Sequence, residues 1–373
     1  MIETVAAVVQ KALEQQTIVG SVIQVAVDGQ VVHQAADGWF DREAQVPMRA
    51  DAIFRVASFT KPMVAMTALA MMEAGLVQLE QTVDSVLPGF RPLSPDGSFQ
   101  PITLRQLLTH TGGIGAGGPD FDKAGVAGGL GDTDLSIEEN LKRLASVKLV
   151  HAPGQGWVYG KGMDVMGGVI ATIHGGTLGD ALKHYVTDKL GMVDTGFVVT
   201  DRERLGPVYA DNPGGVPTRM TTSTFVPGRT GGGVLFSPDR VLNPKAFQSG
   251  GSGAVSTAGD FLRFIEAMRQ GGGPIVSAAT MAMATQNHIG AIPREPGSAF
   301  CLVAALVTDP VAAKTPQPVG TYEWGGIWGH RWFVDPTNRI SAVIMTNTAN
   351  EGCSGAFPLD VRNAIYASLG QGN

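Results

Sequence analysis

Several features that mark common classes of protein are absent from this sequence of 373 residues. It contains only two cysteines, Cys301 and Cys353, which are too few for a disulfide framework and lack the spacing of a metal site. We expect both to be ordinary buried thiols. The seven histidines form no H-x-x-x-H or Cys/His grouping, so we expect no metal and no other cofactor. No run of 18 apolar residues occurs, which argues against a membrane span.

A basic surface is also missing. The chain has 27 Lys and Arg residues against 33 Asp and Glu residues, a formal charge of -6, and its basic residues do not cluster. Nucleic acid and anionic membranes are therefore not expected partners, and small neutral molecules fit better. The first residues lack the basic, apolar and small-residue order of an export signal, so we expect a cytoplasmic protein. The sequence leaves the oligomeric state open.

Both ends of the chain carry strand patterns. Residues 22–40 read VIQVAVDGQVVHQAADGWF, with apolar and polar residues alternating on either side of Asp28-Gly29, a pair typical of a two-residue hairpin turn. Residues 331–347 read RWFVDPTNRISAVIMTN, which predicts two strands joined by a proline-containing turn. Apolar residues at 361, 365 and 369 predict a closing amphipathic helix, and the first residues predict another.

The middle of the chain has the helical period instead. Residues 62–79 predict a buried helix that ends at Gly75, and the helical period dominates from about 100 to 195. A glycine-rich stretch at 110–134 predicts a long loop. We therefore predict an α/β domain built from residues 1–60 and 200–373, with a mostly helical domain at 61–199 and an active site between them.

The strongest chemical signal is the stretch ASFTKP at 57–62, where Lys61 follows Ser58 by three residues at the start of the buried helix. This spacing puts the amine on the same helix face as the hydroxyl, which needs a base to become a nucleophile. The apolar run after Lys61 would desolvate the amine, and the helix N-terminus would stabilise an oxyanion. The alternative is a chance S-x-x-K with a capping serine and a solvated lysine.

Five ordered motifs resemble those of serine hydrolases related to class C β-lactamases and DD-peptidases, and most of all those of family VIII carboxylesterases. They are FRVASFTKPMVAMTALAMMEAG, ITLRQLLTHTGGI, GWVYGKGMDVMGGVI, GGSGAVSTAGDFLRF and YEWGGIWGHRWFVDP. The resemblance covers about residues 15–367. It implies a fold in which an antiparallel sheet flanked by helices adjoins a mostly helical domain, in agreement with the division above.

The resemblance also implies roles for individual residues. Ser58 would carry the acyl group, and Tyr159 would share its proton with Lys61. Lys161 departs from the pattern, since β-lactamases usually have asparagine two residues after the tyrosine. A second cation there would either act on Tyr159 and Lys61 or point to solvent, and the sequence leaves both alternatives open.

The third β-lactamase motif, Lys-Thr-Gly, is replaced by Trp324, Gly325 and Gly326. The glycines would let the strand approach the ligand, the N–H of Ile327 would join that of Ser58 as an oxyanion donor, and Trp324 would form an apolar wall. The KTP at 314–316 reads as a loop and is treated as unrelated.

Other polar residues receive structural interpretations. His110 and His330 are expected to have structural roles. The Gly-x-Ser-x-Gly motif of α/β-hydrolases is absent, because GGSGAV at 250–255 fails at its last position.

These observations predict a serine esterase that acts on short-chain, uncharged carboxylic esters. Loss of the motif lysine argues against carboxylate-bearing penicillins and peptides. The alternatives are β-lactamase, DD-peptidase or amidase activity with the same residues, acyl transfer to an alcohol or amine instead of water, and a sensor that is acylated once without turnover.

Overall fold

The computed structural model describes residues 2–212, 214–227 and 233–370, and a large antiparallel sheet forms its centre. The strands are β1 (Gly20–Val27), β2 (Gln30–Asp41), β3 (Val46–Pro47), β4 (Phe54–Arg55), β5 (Tyr209–Ala210), β6 (Thr218–Arg219), β7 (Thr224–Pro227), β8 (Gly233–Phe236), β9 (Val255–Ser256), β10 (Ser298–Phe300), β11 (Ala305–Val307), β12 (Tyr322–Gly326), β13 (His330–Asp335), β14 (Ile340–Thr346) and β15 (Thr348–Ala349).

Helices surround this sheet and form the middle of the chain. They are α1 (Ile2–Glu14), α2 (Thr60–Glu73), α3 (Val83–Val86), α4 (Leu104–Leu108), α5 (Pro119–Ala124), α6 (Ile137–Ala145), α7 (Gly162–His174), α8 (Leu178–Leu182), α9 (Asp188–Leu190), α10 (Ala258–Arg269), α11 (Ala278–Ala284), α12 (Glu351–Ser354) and α13 (Ala356–Gly370). Among the helices of the described ranges, none is both long and apolar enough to cross a membrane.

The main sheet joins the two ends of the chain. Its order is β10-β11-β12-β13-β14-β1-β2-β3, with antiparallel neighbours throughout. The predicted hairpin is confirmed between β1 and β2, where Asp28 and Gly29 have φ angles of 52° and 82°. Both residues are thus left-handed, as a two-residue turn of this type requires. The two strands predicted at 331–347 are β13 and β14.

Each face of the sheet buries a separate set of apolar side chains. On one face, α1 and α13 pack together and cover β1, β13 and β14 through residues such as Val9, Val361 and Ile344. On the other face, α10 packs on β1, β13 and β14, and Trp332 of β13 lies fully buried there. The predicted closing helix and its N-terminal partner therefore form one layer over the sheet.

Helix α2 runs through the interior next to α7 and α8. Every residue from Thr60 to Met71 is buried, which explains why its sequence lacks a polar face. The helix ends at Glu73, and Gly75 follows with a φ of 73°, the left-handed conformation that favours glycine after a helix. The predicted stop is thus confirmed, and residues 76–79 lie beyond the helix.

The glycine-rich stretch at 110–134 differs in part from the predicted loop, because α5 forms within it behind Pro119. Proline at the first helical position begins such a short helix without losing a hydrogen bond. The fold class is as predicted: an antiparallel sheet with flanking helices and a helical middle. The domain boundaries at 60 and 200 remain a prediction.

Candidate active site

A strained turn carries Ser58. Strand β4 pairs with β9, the N–H of Val56 donates to the carbonyl of Ala254 at 3.0 Å, and the chain then makes a short 3-10 turn over Ala57–Phe59 into α2. Ala57 is fully buried with a φ of 45°, a conformation that costs energy for a residue other than glycine. The hydroxyl of Thr60 donates to the Ala57 carbonyl at 2.6 Å and holds the turn.

The three residues predicted to be catalytic lie together. The amine of Lys61 donates to Ser58 Oγ at 3.1 Å, and the Tyr159 hydroxyl lies 2.7 Å from the same oxygen. The amine also lies 4.6 Å from the centroid of the Tyr159 ring. Ser58 Oγ therefore has two proton-exchanging neighbours at hydrogen-bond distance, which is the geometry that an activated serine requires.

Tyr159 enters the site from the helical part of the chain. Its segment is tied to residues 110–115, because the N–H groups of Val158 and Lys161 donate to the carbonyls of His110 and Gly115 at 3.0 and 3.1 Å. A Cβ at Gly160 would lie 2.0 Å from the Ile114 carbonyl oxygen, so only glycine fits there. The loop before α7 is thus fixed against the turn that follows α4.

The end of β12 passes directly beside the Ser58 turn. A Cβ at Gly326 would lie 2.4 Å from the Val56 carbonyl oxygen, so glycine permits this approach of the two backbones. The next residue, Ile327, lines the same cavity as Ser58. Within the described ranges, the backbone N–H groups of Ser58 and Ile327 donate no hydrogen bond. Both groups are therefore available to a ligand.

A cavity of about 630 Å³ opens from Ser58 and Tyr159. Trp324 forms part of its wall, and its ring lies 5.3 Å from the Tyr159 ring. Lys314 and Thr315 of the KTP stretch also line it, although they lie in the loop between β11 and β12. The remaining charged residues of the wall are Arg294, Glu295, Glu323, Arg331 and Arg362.

Both alternatives for Lys161 remain predictions. Lys161 is half-buried, and its amine lies 3.5 Å from the carbonyl of Ala127 in the glycine-rich stretch. Burial lowers the pKa of Lys161, the nearby carboxylate of Asp164 opposes that effect, and the charges of Lys61 and Arg240 add to it. The side chain makes no hydrogen bond to Tyr159 or Ser58 among the described residues.

The two histidines near the site are buried. His330 Nε2 lies 2.9 Å from the Arg55 carbonyl, and burial lowers the pKa of His330 to about 4. His110 packs against Tyr159 with ring centroids 4.8 Å apart, and burial together with the charges of Lys61 and Arg294 lowers the pKa of His110 well below its usual value. Both rings are neutral at pH 7, as packed structural residues would be.

The cysteine prediction holds for one residue only. Cys301 is buried, whereas Cys353 is half-buried and lines the cavity beside Gly325, so the prediction of two buried thiols is wrong for Cys353. Burial raises the pKa of Cys353 to about 11. In the part of the chain that the structure describes, no cluster of three His, Cys, Asp or Glu side chains is placed to hold a metal.

The loop at 249–253 overlaps the GGSGAVSTAGDFLRF motif, but its contact with Lys61 was not predicted from the sequence. The Gly251 carbonyl accepts a hydrogen bond from the Lys61 amine at 2.6 Å, and Asp164 of α7 holds this loop. The available signal was an acidic residue in the apolar helix pattern GMDVMGGVI, since a buried carboxylate needs partners.

Comparison with known proteins supports the same family from independent directions. The chain is 42% identical to Esterase EstB of Burkholderia gladioli over 97% of its own length and 94% of that protein. Its structure resembles that of EstCE1, described as a hydrolase with promiscuous acyltransferase activity, with 36% identity, a TM-score of 0.93 and coverage of 98% of both chains.

A more distant likeness extends to a second solved structure. Unliganded simvastatin synthase (LovD) from Aspergillus terreus has a TM-score of 0.75 at 21% identity and covers 100% of this chain and 99% of its own, which shows a shared fold alone. The family model described as Beta-lactamase matches residues 5–360. With this match over almost the whole chain, and with Ser58, Lys61 and Tyr159 in contact, the protein belongs to the beta-lactamase family.

Proposed function

We propose that this chain hydrolyses short-chain, uncharged carboxylic esters through an acyl-enzyme on Ser58. Its similarity to EstB and EstCE1 already shows that the chain is a serine carboxylesterase of the beta-lactamase family. The observation that carries the proposal is the pair of contacts at Ser58 Oγ, 3.1 Å to Lys61 and 2.7 Å to Tyr159.

Acylation would begin with loss of the Ser58 proton to the Lys61–Tyr159 pair. The serine oxygen then forms a bond to the ester carbonyl carbon, and the negative charge develops on the former carbonyl oxygen. The N–H groups of Ser58 and Ile327 would stabilise that charge, because both border the cavity with no other acceptor among the described residues. When the carbon–oxygen bond to the alcohol breaks, Tyr159 returns the proton to the leaving oxygen.

Deacylation would reverse these roles with water. The Lys61–Tyr159 pair takes a proton from water as its oxygen bonds to the acyl carbon, and the proton returns to Ser58 Oγ as the acyl–serine bond breaks. The carboxylic acid leaves and the free serine is restored. Each proton transfer uses the same two hydrogen-bonded neighbours of Ser58.

The preference for uncharged esters is supported by the strand beside the nucleophile. Trp324 and two glycines occupy the end of β12, where β-lactamases resembling this chain have a lysine motif. An indole in that position presents an apolar surface to the substrate. The cytoplasmic location remains a prediction from the sequence.

A second candidate is transfer of the acyl group to an alcohol. It is favoured by the similarity to EstCE1, which is itself described as having acyltransferase activity. The same acyl-enzyme would serve both reactions, because only the attacking oxygen differs. Adding an alcohol and measuring a new ester separates transfer from hydrolysis.

The proposed function is tested by steady-state hydrolysis of p-nitrophenyl butyrate beside nitrocefin. Wild-type protein should turn over the ester many times and nitrocefin poorly, and Ser58→Ala should reduce ester hydrolysis to background. Ser85→Ala, which changes an exposed serine, is the matched control and should retain full activity. Full activity in Ser58→Ala would refute the proposal, and faster turnover of nitrocefin would favour the β-lactamase alternative.

A further inference from the structure

Lys61 has a second hydrogen-bond partner that the proposed chemistry does not use. Its amine donates to the Gly251 carbonyl at 2.6 Å, a shorter contact than the 3.1 Å to Ser58 Oγ. A lysine side chain has four flexible bonds and loses conformational entropy when it is held in one geometry. The Gly251 carbonyl therefore fixes where the amine lies relative to the nucleophile.

The loop that presents this carbonyl is held by a buried carboxylate. Asp164 Oδ1 accepts a hydrogen bond from Ser249 Oγ at 2.5 Å and another from the Gly251 N–H at 3.1 Å. The Ser249 hydroxyl oxygen in turn accepts from the Ser252 N–H at 3.1 Å. Asp164 thus anchors both sides of the carbonyl that Lys61 contacts.

Packing against α7 restricts the conformation of the loop at 249–253. A Cβ at Gly250 would lie 2.2 Å from the Met163 carbonyl oxygen, so the loop touches the backbone of α7. Asp164 is 5% exposed, and the cations near it are Lys161 and Arg240, which are held by carbonyls of neighbouring segments. The Asp164 carboxylate is therefore held in one orientation by its hydrogen bonds to the loop.

We propose that Asp164 is a positioning residue for Lys61, acting through the Gly251 backbone. It lies in the first turn of α7, five residues after Tyr159, so the same helix start sets the position of the phenol and, through Gly251, that of the amine. This inference rests on the proposed function, since it concerns the geometry of the same three residues. It assigns a role to a residue that touches neither substrate nor Ser58.

The expected effect follows from the geometry. Without the Asp164 carboxylate, the Gly251 N–H and the Ser249 hydroxyl lose their acceptor, and the carbonyl that holds Lys61 loses its anchor. Displacement of a catalytic group by about 1 Å lowers rates by about 100-fold. We therefore expect Asp164→Ala to lower the rate constant of acylation 10-fold to 100-fold, with little change in KM and in the fraction of protein that can be acylated.

The test measures how fast a fluorophosphonate labels Ser58, together with the final extent of labelling. Asp164→Ala should label slowly but to the same extent per folded protein, whereas Asp164→Asn should label within about fivefold of wild type, because its amide oxygen still accepts both hydrogen bonds. Thr172→Ala, which changes another α7 side chain that bonds only within its helix, is the control and should label as wild type does.

Several outcomes would overturn the proposal. Equal labelling rates in wild type and Asp164→Ala would do so, as would equal loss in the Ala and Asn variants, which would point to charge rather than hydrogen bonding. If Asp164→Ala does not fold, Ser249→Ala, which removes one of the two donors, must slow labelling at unchanged extent. Absence of Ser58 labelling in the wild-type protein would instead refute the proposed function, so the two failures are distinguishable.

Discussion

Gly326 ends β12 against the backbone that precedes Ser58, and Gly326→Ala tests the proposed oxyanion site. The added Cβ would lie 2.4 Å from the Val56 carbonyl oxygen and 3.2 Å from Phe59. Ordinary contact begins at 3.4 Å, so the strand and the Ser58 turn must separate by about 1 Å. The displaced group includes the N–H of Ile327, which follows directly in the chain.

The magnitude follows from the loss of that donor. Removing one oxyanion donor lowers kcat by about 100-fold to 1,000-fold, or about 2.7–4 kcal/mol, and a shift of about 1 Å has a similar effect. We therefore expect kcat/KM for p-nitrophenyl butyrate to fall at least 100-fold in Gly326→Ala. Active-site titration with a fluorophosphonate would correct the rate for any misfolded fraction.

The matched control is Gly89→Ala. An added Cβ there meets no atom within 4 Å, and the residue does not have a positive φ, so activity should be unchanged. If Gly326→Ala hydrolysed the ester as fast as wild type, the close approach of β12 would be irrelevant to catalysis and Ile327 would not be an oxyanion donor.

Three further predictions concern the neighbouring residues. Tyr159→Phe removes the hydroxyl 2.7 Å from Ser58 Oγ and should lower kcat/KM by about 100-fold to 10,000-fold, measured with the same ester; wild-type activity would exclude a role for the phenol. Lys161→Met should change kcat/KM less than tenfold, since the amine contacts Ala127 instead of Ser58 or Tyr159, and a larger loss would show that it acts on the pair. Burial lowers the pKa of His330 to about 4. As the pH falls, the imidazole therefore takes up a proton in the unfolded state before it does so in the folded state. The free energy of unfolding should thus fall by up to about 3 kcal/mol as the pH drops from about 6.5 to 4. Denaturant unfolding at pH 7 and 4.5 should show that His330→Gln loses this part of the pH dependence, and an identical dependence in both proteins would contradict it.

The sequence predicts the local parts of this structure well. Asp28-Gly29 produces the hairpin because both residues tolerate a positive φ, and Gly75 stops α2 for the same reason. The contact between Ser58 and Lys61 is equally local, because Lys61 follows Ser58 by three residues where α2 begins. Contacts between residues that are close in sequence can be predicted without knowing the fold.

Long-range contacts could be predicted less well from the sequence. Tyr159 lies 101 residues from Ser58, and only the resemblance to known enzymes brought it into the predicted site. The contact of Lys61 with Gly251 spans 190 residues and that of Asp164 with Gly251 spans 87, and neither has a periodic pattern in the sequence. The prediction that Cys353 is buried was wrong because it relied on how often cysteine is buried in proteins. That frequency does not indicate which side chains border a cavity.

The most direct test of the account is to trap the acyl-enzyme itself. Wild-type protein would be mixed with p-nitrophenyl butyrate, quenched with acid during turnover, digested and examined by mass spectrometry. One butyryl group should appear on the peptide that contains Ser58, and none should appear on that peptide in Ser58→Ala. A butyryl group on a different residue, or turnover by Ser58→Ala at the wild-type rate, would contradict the central claim that Ser58 is the nucleophile.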